Sequence, residues 1–208
     1  MHFMNRKEHW EKVYQNKQLN EVSWYQPTPQ VSLDFIRDLH IDRHAAIIDI
    51  GGGDSFLTDH LLEAGFTNLT VLDISASAIE RAKKRLGEKA GQVKWIVSDI
   101  TRFNPETRYD FWHDRATFHF LTTEEEIEQY LRISQSALNN GGKILIGTFS
   151  TDGPEKCSGL PVKQYSEESL GALIRNWYEK IKCIYTDHLT PFNTLQHFLF
   201  CSFKKNYT

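Results

Sequence analysis

Three acidic residues stand beside short β-rich runs, and the first is followed by an uninterrupted glycine turn. Asp49 lies in Ile48-Asp49-Ile50-Gly51-Gly52-Gly53-Asp54-Ser55, Asp73 in Val71-Leu72-Asp73-Ile74-Ser75, and Asp99 in Val97-Ser98-Asp99-Ile100-Thr101. Glycine lets the chain turn tightly and lets a ligand approach the backbone with no Cβ in the way. A helix beginning just after the turn offers free N–H groups. A dinucleotide fingerprint would want glycine at 51, 53 and 56, but position 56 is Phe; a P-loop would end in Gly-Lys-Ser/Thr, which the sequence lacks. The pattern that remains suits an adenosine ligand without phosphates. Asp73 is placed to accept hydrogen bonds from a ribose diol. Asp99 suits an exocyclic adenine amine, with Ile100 packing the ring, and Asp49 suits an ammonium or sulfonium charge. Each acid alone also fits a turn or helix cap, but three at successive strand ends are hard to explain that way.

The elements that must position these acids follow from hydrophobic periodicity. Strands are expected at 45–50, 69–73, 93–97, 109–113 and 143–148, alternating with amphipathic helical runs, which reads as α/β with a mainly parallel sheet. Trp10 and Tyr14 share a helical face. Thr28-Pro29 reads as an N-cap with a first-turn proline, opening a helix with Val31, Phe35, Ile36 and Leu39 on one stripe. Leu57, Leu61 and Ala64 mark the helix after the glycines, stopped by Gly65. Ser77 with Glu80, and Thr123 with Glu126, read as capping boxes. Glu124-Glu125-Glu126 suits a helix N-terminus, and Asn140-Gly141-Gly142 reads as a turn before the fifth strand. Ser166 starts a last helix. The runs 181–186 and 195–203 have only a loop between them, so they are expected to pair antiparallel.

Composition sets outer bounds. Lys and Arg number 24 and Asp and Glu 27, a formal net charge of −3. That argues against nucleic acid as the main partner, because phosphate neutralisation needs clustered positive charge. Hydrophobic residues at 40% and charged residues at 25% indicate a folded chain, long enough at 208 residues to bury a core without staples. No run approaches the roughly 20 apolar residues of a membrane helix. Met1–Glu8 carries no signal-peptide stretch, so a cytoplasmic location and no membrane partner are expected. Cys157, Cys183 and Cys201 are odd in number and widely spaced, with no C-x-x-C pair and no zinc spacing. No disulfide framework and no metal site are therefore expected, and a reducing compartment is favoured. Cys157 reads as a surface thiol, and a monomer or weak homodimer is expected.

Taken in order, the runs around Asp49, Asp73 and Asp99, the Asn140-Gly141-Gly142 turn and the terminal hairpin resemble the class I S-adenosylmethionine-dependent methyltransferases over about residues 45–203. The resemblance implies a three-layer, Rossmann-like seven-stranded sheet, mainly parallel with a C-terminal antiparallel β-hairpin. It implies one domain over 1–208, with a helical lid at 1–44, cofactor-binding βα units at 45–150, and a substrate loop, last helix and hairpin at 151–208. It also implies S-adenosyl-L-methionine as cofactor, with S-adenosyl-L-homocysteine as product, held by Trp10, Trp24, Asp49, Gly51, Gly52, Gly53, Asp73, Ile74, Asp99 and Ile100. Many members carry glycine where Ser55 stands, which implies a slightly less open loop here. Tyr109–Thr117 is similar to the fourth-strand region of the thiopurine and tellurite-resistance methyltransferases, with Arg115 matching an active-site arginine. His9–Tyr14 is similar to that group's cofactor-covering segment, and the stretch from Gly153-Pro154 to Leu160-Pro161-Val162 faintly resembles its substrate loop. Trp10 with Ser23-Trp24-Tyr25 also resembles small lysine methyltransferases acting on translation factors, although those usually have Asp-Lys-Gly where this chain has Asp114-Arg115-Ala116. A small-molecule substrate is the reading taken; a protein lysine and a non-catalytic S-adenosylmethionine binder are the alternatives.

Methyl transfer from a sulfonium is an in-line displacement, and it needs a base only if the nucleophile arrives protonated. Arg115, Asp114 and His119 are expected to serve catalysis, with His113 close by and His188 and His197 weaker candidates. Arg115 would bind an anionic substrate or lower a thiol pKa, and His119 would act as base. Trp24 and Tyr25 are expected to close over the sulfonium through cation–π contact. Specificity is expected to come from residues 1–44, the 150–165 loop and the Asp114-Arg115 corner.

Overall fold

Every residue of β1 (Ile47–Ile50) is buried, as a β-branched run covered on both faces requires. In the computed structural model, which describes residues 6–206, β1 lies in parallel between β2 (Leu69–Asp73) and β4 (Tyr109–Arg115). Outside these lie β3 (Val93–Val97), parallel to β2, and β5 (Leu138–Phe149), parallel to β4. A small hairpin, β6 (Lys156–Cys157) and β7 (Leu160–Pro161), stands apart. The sheet is completed by β8 (Tyr178–Leu189) and β9 (Leu195–Lys205), antiparallel to each other, with β9 antiparallel to β5. Among the described residues the order is β3-β2-β1-β4-β5-β9-β8, so the expected seven-stranded mixed sheet is present.

Six helices cover the described sheet: α1 (Arg6–Asn16), α2 (Gln30–Asp38), α3 (Leu57–Glu63), α4 (Ala76–Leu86), α5 (Glu124–Ala137) and α6 (Glu167–Ile174). Trp112, Tyr130, Leu131, Leu170 and Ile174 pack one apolar layer under α5 and α6. Trp10, Phe35, Ile36, Leu61 and Phe111 pack the other under α1, α2 and α3. This three-layer arrangement hides the central strands from water on both sides.

Several local expectations change. The α4 N-cap is Ser75, whose Oγ accepts from Ala78 N–H at 3.2 Å. The Ser77–Glu80 box does not form, because Asp73 takes the Ser75 N–H at 2.8 Å and starts the helix two residues earlier; Glu80 pairs with Lys83 instead. Thr28 contributes its carbonyl, not its side chain, to the start of α2, which Pro29 precedes without a side-chain cap. Thr123 does cap α5, but the Glu126 carboxylate reaches Thr122 N–H and Arg6. The Asn140-Gly141-Gly142 turn sits inside β5. Pairing jumps from Tyr109↔Leu138 to Phe111↔Lys143, and Gly141 takes a positive φ of 74° in the bulge.

Cys183 and Cys201 form a disulfide, contrary to the expectation from cysteine count and spacing. Register is the reason: the β8–β9 pairing sets these two residues directly opposite each other, with Cα atoms 4.1 Å apart. Cys157 is buried, not on the surface. Residues 1–5 of the expected lid lie outside the described residues.

Candidate functional site

A cavity opens at the C-terminal ends of the parallel strands, where α/β sheets hold ligands. Asp49, Asp73 and Asp99 all line it, with Ile74 and Ile100 beside the second and third acids. Trp10, Trp24, Gly51, Gly52 and Arg115 line it as well. Gly53, Asp114, His119 and Tyr25 are not part of its wall. Tyr25 packs edge-on against Phe56 instead.

The glycines have a more specific purpose than general openness. Gly51 has φ 66°, and a Cβ there would overlap the Thr117 hydroxyl. A Cβ on Gly52 would overlap Asp49 Oδ2, and one on Gly53 would overlap Asp73 Oδ2. Two glycines thus clear space for the two carboxylates, and Gly53 belongs to the site through Asp73. The less open loop implied by Ser55 takes a defined form: its Oγ accepts from Leu57 N–H at 3.1 Å, capping the start of α3. Asp54 anchors the loop to α4 through Arg81 at 3.0 Å and Arg85 at 2.7 Å.

The three acids differ in environment. Burial pushes the Asp73 carboxyl up to about 7, opposed by donation from the Ser75 N–H and reinforced by the Asp49 charge. Asp99 Oδ1 accepts from the Thr101 N–H at 2.9 Å and hydroxyl at 2.8 Å, so the acid caps a short 3-10 turn while also lining the cavity. Asp49 Oδ1 is bound by His113 Nδ1 at 2.6 Å, while its buried Oδ2 has no partner among the described residues.

Strand alternation separates Asp114 from Arg115. Phe111 joins the apolar layer beneath α2 and Trp112 the layer beneath α5. Asp114 lies on the Trp112 side of the sheet: it accepts from the Tyr130 hydroxyl of α5, at 2.8 Å, and from the Thr117 and Phe118 N–H groups at 3.0 and 3.1 Å. Burial raises its pKa to about 6 despite these donors. Asp114 thus holds the turn after β4, where Ala116 has φ 68°, and is not in the cavity wall, where the sequence reading expects a catalytic group. Arg115 does face the cavity. Its guanidinium donates to the Trp24 carbonyl at 3.2 Å, lies 5.9 Å from the Phe198 ring centroid, and is drawn down to about 10 by burial.

His119, expected as a base, also lies away from the cavity wall. Its ring stacks on Phe149 with centroids 4.5 Å apart and meets Phe120 edge-on at 4.5 Å. Burial, with help from the Arg115 charge, pushes its pKa down to about 3. A ring so placed is a weak base and lies off the cavity wall. His197 pairs with Asp187 at the hairpin surface. His188 Nδ1 accepts from the Gln26 amide N–H at 3.0 Å and its Nε2 donates to the Ser23 carbonyl at 2.7 Å, fixing the segment that carries Trp24.

Several contributors were not singled out from sequence. Glu11 accepts from the Ala76 and Ser77 N–H groups, at 2.6 and 3.2 Å, and so pins α1 to α4. Tyr14, Thr117 and Phe120 line the cavity, as does Cys157 of β6, whose thiol burial pushes up to about 11. Helical spacing already sets Tyr14 on the Trp10 face; nothing local flags Thr117. Among the described residues no group of three or more His, Cys, Asp or Glu could hold a metal, and no helix is long and apolar enough to cross a membrane.

A family profile described as a methyltransferase domain matches residues 48–144, the segment that carries all three acids and the glycine turn. These residues are a methyltransferase domain of the class I S-adenosylmethionine-dependent kind. A malonyl-[acyl-carrier protein] O-methyltransferase of Ilyobacter polytropus is 33% identical over 105 residues, 50% of this chain and 37% of that protein. A mouse EEF1A lysine methyltransferase 2 is 26% identical over 162 residues, 69% of this chain and 65% of that protein. The alignments thus span well under half the length of the malonyl-carrier relatives. The chain shares its fold with the Burkholderia thailandensis 1,6-didemethyltoxoflavin N1-methyltransferase, solved with bound 1,6-didemethyltoxoflavin and S-adenosylhomocysteine. The TM-score is 0.73 at 19% identity, covering 97% of this chain and 87% of that one. TehB from Haemophilus influenzae aligns with TM-score 0.68 at 18% identity, covering 88% and 65%.

Proposed function

We propose that this chain binds S-adenosyl-L-methionine and transfers its methyl group to a small-molecule nucleophile by in-line displacement. The observation that carries the reading is the convergence of Asp49, Asp73 and Asp99, from successive parallel strands, on one cavity that Arg115 also lines. The residues fit the cofactor. Asp49 Oδ2 is a buried acceptor still lacking a donor, suited to the amino group; Asp73 suits the ribose hydroxyls; Asp99, Ile74 and Ile100 suit the adenine. The cofactor supplies an already activated methyl group, so the protein's task is alignment and exclusion of water.

Trp10, Tyr14, Trp24 and Phe120 form an aromatic cover, with Trp10 ring centroids 5.6 Å from Trp24 and 5.1 Å from Phe120. Cys157 joins them from the β6–β7 hairpin. Arg6 is neutralised by Glu126 at 2.7 Å, whereas Arg115 is left to orient an acceptor bearing negative charge. The similarity to an EEF1A lysine methyltransferase supports the second reading, a protein lysine as acceptor, and a non-catalytic binder is the third.

A labelled-methyl assay comparing a panel of small anionic acceptors with size-fractionated lysate separates the three. Label on small molecules, lost in Arg115→Ala, is the expected outcome. Label on one protein band would favour the lysine reading. Binding of S-adenosylhomocysteine with no transfer would leave a binder. A melting temperature raised by NAD but not by S-adenosylhomocysteine would sink the cofactor assignment.

A further inference from the structure

β1 and β4 are neighbours in parallel register, and the pairing sets Asp49 directly beside His113. α2 covers both and contributes Ser32. The result is a buried hydrogen-bonded chain. His113 Nδ1 donates to Asp49 Oδ1 at 2.6 Å, and His113 Nε2 meets Ser32 Oγ at 2.8 Å. Asp49, His113 and Ser32 are only 4%, 2% and 1% exposed. A carboxylate only accepts, so Nδ1 carries the hydrogen and Nε2 is left to accept from the serine hydroxyl. Ser32 does not line the cavity, which rules it out as a nucleophile there, although Asp49 and His113 do line it.

The chain has a directional effect on Asp49. One carboxylate oxygen is tied down, and the other, Oδ2, is buried without a partner among the described residues. The missing Cβ of Gly52 leaves room for that oxygen. A buried acceptor without a donor is costly, and its persistence at a cavity wall points to a ligand that supplies the donor. We propose that His113, oriented by Ser32, is a positioning residue for the cofactor: it fixes Asp49 so that Oδ2 is presented to the cationic amino group of the cofactor's amino-acid part. This rests on the reading of the cavity as an S-adenosylmethionine site. Asp73 and Asp99 stand at the ends of other strands, so adenosine recognition does not depend on His113.

That independence supplies the test. S-adenosylhomocysteine carries both the adenosine and the amino-acid part, whereas 5′-methylthioadenosine carries only the first. Calorimetric titration of the full chain with each ligand should show His113→Ala weakening S-adenosylhomocysteine about tenfold, the usual effect of stranding a buried charged acceptor. The change for 5′-methylthioadenosine should be under about twofold on the same scale. His113→Asn can still donate an amide N–H to Asp49 and should recover most of the loss. Ser32→Ala should weaken S-adenosylhomocysteine alone, by about threefold, as loss of one neutral hydrogen bond implies. Should His113→Ala fail to fold, the Asn and Ser32 variants carry the comparison. Equal losses for the two ligands, or no loss for either, would overturn the positioning role while leaving the cofactor reading intact. A wild-type chain that binds neither ligand would overturn both.

Discussion

At the scale of single residues, Asp73 is the group whose ionisation matters most to ligand binding. Its carboxyl, raised to about 7 chiefly by burial, takes up a proton in the folded, ligand-free chain at pH values where an exposed aspartate would be ionised. Only the carboxylate accepts hydrogen bonds from both hydroxyls of a ribose. Binding of an adenosine ligand must therefore release a proton below pH 7, and affinity must rise with pH through that value. S-adenosylhomocysteine should bind about tenfold more tightly at pH 8 than at pH 6, the ratio of ionised fractions for a group titrating at 7. Asp73→Asn should weaken binding at pH 8 and flatten the profile. A wild-type profile that is flat, or that falls with pH, would show that Asp73 does not meet the ribose. The acids themselves were legible in the sequence because they punctuate β-rich runs. What could not be read was the pairing of Asp49 with His113, which lie far apart in the chain and meet only through strand register.

At the scale of elements, the alternating strands and helices were readable because each carries its own period, and the seven strands stand where hydrophobic runs placed them. Two failures came from reading distance along the chain as distance in space. Asp114 and Arg115 are adjacent in β4, yet alternation sends one toward Tyr130 and the other toward the cavity. Cys183 and Cys201 are 18 residues apart, yet they face each other across β8 and β9. Cysteine counting sees neither register nor partner strand, so the disulfide was missed even with the hairpin recognised. The chain should therefore expose one reactive thiol when denatured without reductant and three after reduction, matching its single free cysteine and one disulfide. Three thiols before reduction would show that the bond does not form. In the native chain Cys157 should react slowly, because burial holds its thiol near 11 and the thiolate is the reactive form.

At the scale of the whole molecule, the cavity has a rigid floor and a lightly held cover. The floor is the C-terminal edge of the sheet, where β1 and β2 are buried along their whole length. The cover is the segment from α1 through Trp24. Only Trp10 and Val13 of α1 are buried. Beyond α1, Val22 is buried and Tyr14 and Trp24 pack partly exposed on the core, and polar contacts add further ties: Glu11 to the start of α4, Arg81 to the Tyr14 and Lys17 carbonyls at 2.9 and 2.7 Å, and Arg115 and His188 to the Trp24 and Ser23 carbonyls. Segments with few buried apolar contacts open at lower free energy than the core, and a ligand held beneath the cover selects its closed form. Lys12 and Lys17 lie on this segment and report its opening through trypsin. Saturating S-adenosylhomocysteine should slow cleavage at these sites by at least about tenfold, since a ligand at 100 times its Kd shifts such an equilibrium by about two orders of magnitude. Glu11→Ala, which frees α1 from α4, should speed cleavage in the absence of ligand and return toward the wild-type rate when ligand is added. Equal rates with and without ligand would mean that the segment is a fixed wall, and that an acceptor reaches Arg115 by way of the β6–β7 hairpin instead.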